Sequence, residues 1–390
     1  MYRKRIFFLI IILIQALTSC IKRYEPEIKR EDAVKFVVRG QVNKGDKIQH
    51  VNISTSSPVS QPLYIPVTGC TVKIIDDKGN TYPAMDMQDG NYDLSIPESA
   101  LTPGSSFKMD IMVPGGTNIV SDFDQIHECP DVDSVYYKVE TLPSNDPSIF
   151  TEGIQFYTNL NAENTNSQYF MWELTETYEY HAVYPIEWYY DGTVHHIFPP
   201  DKSRFVCWQT SRVNNVFTLS TKNLARNKYE HYPFHFVDNY SSPRLVYGYS
   251  LLVRQYAQSE AAFAYWEKIR INSNEQGGLY EKQPLVIKGN LHNLTHPDQE
   301  VLGFFSASEV KSKRIFVRNV EYLILKYDPG CGIEGLEVRR GGLVGLHASA
   351  EFPIYLYGTK YGYLVILLEP VCYNCLDSGG KNLKPDFWPY

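Results

Sequence analysis

The sequence lacks both a surplus of basic residues and a long apolar run in its body. Lys and Arg number 37 against 44 Asp and Glu, which gives a formal net charge of −7. Because contacts to phosphates require an excess of positive charge, we expect no nucleic-acid partner. A transmembrane helix needs about 20 apolar residues. The nearest approach after the N-terminal segment is the short run from Leu364 to Leu368, which is typical of a strand.

Sequence motifs of common catalytic machinery are missing as well. Gly248-Tyr-Ser250 begins like a nucleophile elbow, but Leu252 stands where the motif requires its last glycine. His195 and His196 are adjacent and would face opposite sides of a strand, whereas zinc peptidases use two histidines one helical turn apart. A glycosidase pair of carboxylates is set by spatial separation and is not visible in sequence spacing. We therefore predict a protein that is not an enzyme, without catalytic residues, cofactor or metal site.

The residues that are present predict a folded, β-rich protein of two domains. Apolar types make up 43% and aromatic types 14% of 390 residues, which is typical of globular proteins and not of disordered chains. Residues 33–130 contain short β-branched segments separated by turn signals such as Asp76-Asp-Lys-Gly79 and Asp89-Gly90. This spacing is typical of a β-sandwich and resembles transthyretin-like and immunoglobulin-like modules.

Residues 131–390 predict a second, larger β-rich domain that contains one amphipathic helix near residues 259–276. Ser259 is the expected N-cap, and Gly277 is expected to end the helix. Apolar side chains at helical spacing predict a face that packs against the core: Ala262, Phe263, Trp266 and Ile269.

The first 19 residues predict a lipoprotein signal peptide. Basic residues at positions 3–5 precede an apolar run over residues 6–14, which is too short to span a bilayer. Leu17-Thr-Ser-Cys20 resembles the bacterial lipobox, where cleavage precedes a cysteine that receives lipid. We expect Cys20 to carry diacylglycerol and a further acyl chain such as palmitate, and several chains anchor a protein stably. The alternative is an ordinary signal followed by a chance cysteine.

Residues 20–32 predict a charged tether between the lipid and the fold. The expected location is the outer membrane. Acidic residues directly after the cysteine would favour export to the cell surface, but here Lys22 and Arg23 precede Glu25 and Glu27. Both the surface and the periplasmic leaflet therefore stay open.

Six cysteines remain after Cys20, and an exported protein can keep disulfides. Cys372 and Cys375 have the spacing of redox and zinc motifs, but no second such pair completes a zinc site. We therefore expect a structural disulfide that joins Cys331 to Cys372 or Cys375, with free thiols or a metal or redox site as alternatives. The other cysteines are expected to be small buried apolar residues: Cys70, Cys129 and Cys207.

Residues 169–210 hold twelve aromatic side chains. Flat rings can stack on sugars, which suggests a platform for a glycan or peptide formed by Tyr178, Tyr180, Tyr184, Trp188 and Tyr190. The alternative is that these rings build the core. Nearby, Asp133-Ser134-Val135 resembles a short O-glycosylation signal of secreted proteins, and the alternative is an ordinary strand start.

Several blocks of the sequence resemble, in the same order, those of one family. They include Tyr169-Phe-Met-Trp-Glu, Tyr249-Ser-Leu-Leu-Val-Arg-Gln-Tyr256, Lys288-Gly-Asn290 and the ending Lys384-Pro-Asp-Phe-Trp388. On these blocks, nearly the whole mature chain resembles the DUF4249 family of uncharacterised Bacteroidota lipoproteins. The resemblance implies an envelope lipoprotein that is often encoded beside an outer-membrane TonB-dependent transporter, and it supplies no catalytic residues.

Anchor, composition and resemblance together predict a lipid-anchored envelope protein without enzymatic activity. Its expected role is that of an accessory subunit of an outer-membrane TonB-dependent transporter. The alternative is a surface lipoprotein that binds a glycan or peptide on the aromatic platform.

Overall fold

The computed structural model of the protein describes residues 34–58, 61–143, 150–274, 287–332, 353–359, 363–367 and 369–390. The predicted signal peptide, Cys20, the tether and Gly277 lie outside the described residues. Within the described part, the chain forms 23 β-strands and one α-helix. The prediction of a mainly β fold is confirmed.

Ten strands precede residue 130, and turn residues separate them. In chain order they are β1 (Phe36–Lys44), β2 (Gln49–Thr55), β3 (Ile65–Pro66), β4 (Thr71–Asp76), β5 (Thr81–Pro83), β6 (Met85–Asp86), β7 (Asn91–Leu94), β8 (Ser106–Met112), β9 (Asn118–Ser121) and β10 (Asp124–Gln125). The turn after β4 forms for local reasons: Asp76 accepts hydrogen bonds from the backbone of Lys78 and Asn80 at 3.0 and 2.8 Å. Gly79 has a φ of 87°, which a residue without Cβ adopts at least cost.

The remaining strands and the single α-helix of the described residues, α1, follow residue 133. They are β11 (Ser134–Pro143), β12 (Phe150–Asn161), β13 (Tyr169–His181), β14 (Ile186–Tyr190), β15 (Val194–Asp201), β16 (Val206–Arg212), β17 (Phe217–Ser220), β18 (Lys228–Asp238), β19 (Gly248–Ala257), α1 (Glu260–Asn274), β20 (Leu291–Asn293), β21 (Leu302–Val317), β22 (Ile354–Gly358) and β23 (Leu364–Ile366).

One ten-stranded sheet runs through both parts of the protein, in the order β16-β13-β19-β21-β1-β2-β7-β6, with β17 beside β13 and β3 beside β2. Strand β21 joins its two halves. Residues 302–309 pair in parallel with β1, and residues 310–317 pair antiparallel with β19. A single strand therefore belongs to both halves.

The first core lies between β1, β2 and β7 of this sheet and a second sheet of order β20-β9-β8-β4-β5. Val38, Phe107 and Met109 are fully buried in it. Leu291 and Phe305 belong to the same cluster, although a division of the chain at residue 130 assigns them to the second domain. The first core is therefore completed by segments that follow residue 290.

The second core lies between β13, β16 and β19 and a three-stranded sheet of order β11-β12-β18. Phe170, Trp172 and Leu174 alternate along β13 and point into this core, as the period of two in a strand requires. Trp172 stacks on Tyr232 of β18 with 4.9 Å between ring centroids. Each such side chain contributes about 1.5–3 kcal/mol by its burial, so β13 is a major source of stability.

The ten-stranded sheet is curved. Its outer face, which points away from both cores, is concave, so that side chains from the two halves of this face come into contact. Arg39 of β1 pairs with Phe304, while Glu173 of β13 pairs with Arg254 of β19, which in turn pairs with Ser312. Positions 304 and 312 would be about 26 Å apart along a straight strand. The Arg39 guanidinium nevertheless lies 2.8 Å from the Glu173 carboxylate. Two side chains cannot span that separation on a flat sheet, so the sheet bends and encloses a groove.

Helix α1 covers one end of this curved face. The Ser259 hydroxyl accepts a hydrogen bond from the backbone of Ala262 at 3.1 Å, which confirms the predicted N-cap. Ala262 is fully buried, and Tyr265 stacks on Phe304 of β21 at 4.9 Å. The helix therefore packs on the sheet, as its apolar stripe predicted.

Two disulfides fix the C-terminal segment. Cys331 is bonded to Cys372, which decides between the two predicted partners. Cys375 is bonded to Cys207 of β16, so the prediction that Cys207 is a free buried residue is wrong. Cys207 and Cys375 lie in chain segments that are far apart in sequence. Sequence spacing alone does not reveal that these segments meet in the folded protein. The buried free cysteines are the two others predicted, Cys70 and Cys129.

The last residues pack on the outer face at the far end of β13. Trp388 is 3% exposed, and its indole N–H donates to Glu179 Oε2 at 3.1 Å. Its ring lies against Gly248, where a Cβ would come within 3.0 Å of it. The C-terminus is thus part of the folded body.

Candidate binding groove

Two adjoining cavities follow the outer face of the curved sheet. Their volumes are about 230 and 460 Å³, and Arg39, Glu173 and Arg212 line both. The smaller cavity extends to Trp266 of α1, and the larger one extends over β2 and β7. We call the combined depression, centred on the three shared residues, the arginine groove. The larger cavity falls within the range of about 300–1,000 Å³ that is usual for small-ligand sites.

Glu173 organises the centre of the groove. Its Oε1 accepts a hydrogen bond from Arg39 at 2.8 Å, and its Oε2 accepts one from Arg212 at 2.8 Å. The Glu173 side chain is 16% exposed, whereas those of Arg39 and Arg212 are 46% and 50% exposed. One sheltered carboxylate therefore holds two half-open guanidinium groups in fixed positions.

Tyr256 supports this carboxylate from beneath. Its hydroxyl donates to Glu173 Oε2 at 2.8 Å, and its side chain is almost completely buried. Burial, reinforced by the Glu173 charge, raises the pKa of Tyr256 well above its ordinary value, so the hydroxyl stays a donor. Alongside, Arg254 of β19 forms an ion pair with Asp46 of the turn after β1. Ion pairs thus join the two halves of the curved sheet at two places.

The walls of the groove carry several side-chain amides among apolar residues. The lining includes the side chains of Gln41, Asn43, Asn52, Asn91, Asn214 and Asn215. An amide both donates and accepts hydrogen bonds, and a guanidinium only donates. The Gln41 Nε2 and Trp266 Nε1 donors, one on each side of Arg39, are buried without a hydrogen-bond partner among the described residues. Unpaired donors therefore occur in both of the joined cavities.

The predicted aromatic platform does not exist as one exposed face. Tyr178, Tyr180 and Tyr190 are buried, with exposures of 8%, 4% and 6%, so the alternative that they build the interior is correct for them. Tyr184 lies beyond the end of β13 and donates its hydroxyl to the Cys331 carbonyl at 2.9 Å. Trp188 is half-buried and stacks on His196 at 4.0 Å.

Tyr178 and Tyr180 do line a separate cavity of about 320 Å³. Their hydroxyls are already bonded to protein, to Gln209 Oε1 at 2.8 Å and to the Cys375 carbonyl at 2.6 Å. Burial raises the pKa of both tyrosines. The hydroxyls of these two tyrosines therefore serve the fold.

Two further predicted features have different outcomes. Ser134 begins β11, and its Oγ is buried without a partner among the described residues, so a glycan at this oxygen would require local opening of the strand. Among the described residues, no group of three or more His, Cys, Asp or Glu side chains could hold a metal ion. Cys20 lies outside the described residues.

Sequence reasoning missed the arginine groove. Arg39, Glu173 and Arg212 occupy three strands that are distant in the chain, and each occurs singly among residues of ordinary composition. The one available signal was Glu173, a charged residue within the aromatic-rich strand β13. Its charge indicates that this position of β13 faces away from the core, but it does not indicate which residues Glu173 contacts.

Two sandwich cores that share one curved sheet, with a groove on its concave face, define a mainly β protein. The chain belongs to the family described as domain of unknown function DUF4249, whose model matches residues 21–314. The family resemblance read from the sequence is confirmed. No curated protein matches the sequence. Within the described ranges, no helix has the length and apolar character needed to cross a membrane.

Proposed function

We propose that this protein is a lipid-anchored component of the outer membrane that works without enzymatic activity, as an accessory subunit of a TonB-dependent transporter. The observation that carries the proposal is the pair of disulfides, Cys207–Cys375 and Cys331–Cys372. Disulfides persist outside the cytoplasm and are rare inside it. Together with the lipobox that ends at Cys20, they favour an exported and anchored protein.

Exposed apolar side chains support a role in contact with another protein. Tyr322 is 96% and Phe198 84% exposed. Large aromatic side chains are the residues that most often anchor protein interfaces. A transporter subunit in the same membrane is the partner that the lipid anchor would bring within reach.

Mass spectrometry of the mature N-terminal peptide tests the anchor. We expect a peptide that begins at Cys20 and carries a diacylglyceryl group and an acyl chain. Cys20→Ser should release the protein from the membrane fraction, whereas the matched Cys70→Ser, at a buried free thiol, should not. An unacylated wild-type N-terminus would refute the anchor.

Affinity purification from detergent-solubilised outer membranes tests the partnership. We expect the wild-type lipoprotein to recover an outer-membrane barrel of the TonB-dependent class. A Cys20→Ser protein expressed in the same cells is the control, because it samples the soluble compartment only. Recovery of the lipoprotein without any barrel would contradict the proposal.

A second candidate function is direct ligand binding, and the arginine groove is the observation that favours it. The groove replaces the predicted aromatic platform as the site. Arg39 and Arg212 are held by Glu173 but remain half exposed, so donors are available to a ligand. Thermal unfolding of the full-length protein with and without candidate ligands tests this role, since a ligand that binds only the folded state raises the unfolding temperature.

A further inference from the structure

From the chemistry of the arginine groove, we infer that it binds an acidic oligosaccharide and that a carboxylate of this ligand lies between Arg39 and Arg212. The inference rests on the ligand-binding role and not on the association with a transporter. It follows from the charge at the centre of the groove, from the unpaired donors on its walls and from the side-chain amides that line it.

The centre of the groove has a net charge of +1, because it contains two guanidinium groups and one carboxylate. Arg39 and Arg212 share the single carboxylate of Glu173. Each guanidinium has five N–H donors in a planar fork that matches a carboxylate, and Glu173 takes up one donor from each. Because both side chains are half exposed, the remaining donors can reach a second carboxylate.

These guanidinium groups are held in place before any ligand arrives. Glu173 is sheltered, and Tyr256 donates to the same carboxylate oxygen as Arg212. Groups fixed by their neighbours lose less conformational entropy on binding than free ones do. The larger cavity also contains Asp46, paired with Arg254, and Asp93, beside His50, which is charged only when protonated. The positive excess is therefore confined to the centre.

The walls favour a sugar over a peptide. Side-chain amides on both sides of the centre can bond hydroxyl groups, which also donate and accept. Gln41 Nε2 and Trp266 Nε1 lack acceptors, so a ligand that brought oxygen acceptors to them would gain hydrogen bonds that an apolar ligand would not. Two joined open cavities of about 230 and 460 Å³ also suit a chain of rings better than one compact molecule.

Titration calorimetry of the full-length lipidated protein in detergent tests the inference, with oligogalacturonate as the probe. Fully methyl-esterified oligogalacturonate is the matched neutral ligand. We expect binding of the acidic form that weakens with added salt, and at least about tenfold weaker binding of the ester, because a charged hydrogen bond is lost. An oligoglutamate peptide is the third probe, and we expect it to bind more weakly than the acidic sugar.

Variants locate the site. Arg39→Gln and Arg212→Gln should each weaken binding of oligogalacturonate at least about tenfold, and Trp266→Phe should weaken it while keeping the ring. Arg226→Gln is the matched control, because Arg226 is paired with Glu163 outside the groove. Unfolding curves confirm that each variant is folded.

Three results would overturn the inference: no binding of oligogalacturonate, equal binding of its ester, or unchanged binding by both arginine variants. Preference for the acidic peptide would overturn it as well. These outcomes do not bear on the transporter partnership, which is measured in membranes without added sugar. Failure to recover a barrel, conversely, would leave the calorimetric result unaffected.

Discussion

Cys207 and Cys375 are joined by a disulfide although 168 residues separate them along the chain. The bond fixes the segment that follows residue 369 against β16. A second bond, Cys331–Cys372, closes a loop of 41 residues and holds the same segment from the other side. The C-terminal segment is therefore bonded to β16 by one disulfide and to the stretch that follows β21 by the other.

Removing the long-range disulfide should reduce stability substantially. Cys207→Ala with Cys375→Ala is expected to lower the free energy of unfolding by about 2–5 kcal/mol. The chain-entropy account gives the shorter loop closed by Cys331 and Cys372 a contribution smaller by about 1 kcal/mol. Urea unfolding under non-reducing conditions compares the two double variants. Equal stability of wild type and both variants would show that these bonds do not constrain the unfolded chain.

Gly303 is expected to be intolerant of any side chain. Its φ is 112°, and a Cβ there would lie 1.8 Å from the Val38 carbonyl oxygen, where β21 approaches β1. Gly303→Ala should cost more than about 3 kcal/mol because it combines strain with a backbone clash. Gly332→Ala is the control, since a Cβ at Gly332 meets nothing within 4 Å. Soluble yield and urea unfolding measure both, and similar stabilities would contradict the close approach of these strands.

The buried Glu176 should make stability depend on pH in the acidic range. Burial alone would raise the pKa of Glu176, but His235 and Arg244 beside it outweigh this effect and leave the pKa lowered. A carboxyl with a lowered folded-state pKa stabilises the protein fully above its unfolded-state pKa, near 4.5. That contribution is lost as the pH falls through the lower, folded-state pKa.

Glu176→Gln checks this dependence. The variant should be less stable than wild type at neutral pH by about 1–3 kcal/mol. The reason is that Tyr249 and Arg244 lose the charged oxygen atoms to which they donate hydrogen bonds. Its stability should fall less steeply between neutral pH and pH values below 4.5. Glu98→Gln, at an exposed carboxyl in the turn after β7, serves as the control and should follow the wild-type curve. If the free energy of unfolding of Glu176→Gln falls with pH as steeply as that of wild type, groups other than Glu176 cause the acid sensitivity.

Trp388 is expected to hold the C-terminus on the sheet. Trp388→Ala removes a buried ring and its hydrogen bond to Glu179, and should destabilise the protein by about 3 kcal/mol. Tyr390 is 45% exposed, so Tyr390→Ala should cost less than about 1 kcal/mol. Hydrogen exchange should accelerate at Gly248 and its neighbours in β19 only in the Trp388 variant. Unchanged protection there would mean that the tail contributes nothing to β19.

Features set by local chemistry were predictable from the sequence, and features set by distant contacts were not. The turn at Asp76–Gly79 and the Ser259 cap depend on residues within four positions of each other. The Cys207–Cys375 bond depends on chain segments that meet only in the folded protein, and sequence spacing carries no information about such a meeting.

The same distinction explains the outcome at the candidate site. Aromatic density over residues 169–210 indicated important packing, but it could not show that Tyr178 and Tyr180 face inwards. The arginine groove arises from the curvature of a sheet whose strands come from both halves of the chain. Arg39 and Glu173 are 134 positions apart, so no local pattern links them.

The parallel pairing of β1 with residues 302–309 also governs the order in which the protein can fold. A chain that is synthesised from its N-terminus delivers β1 early and its neighbour late. Until that neighbour emerges, one edge of β1 stays open, and open strand edges invite aggregation. The sheet can therefore be completed only after about 300 residues have been synthesised, so its final closure is a late event in folding.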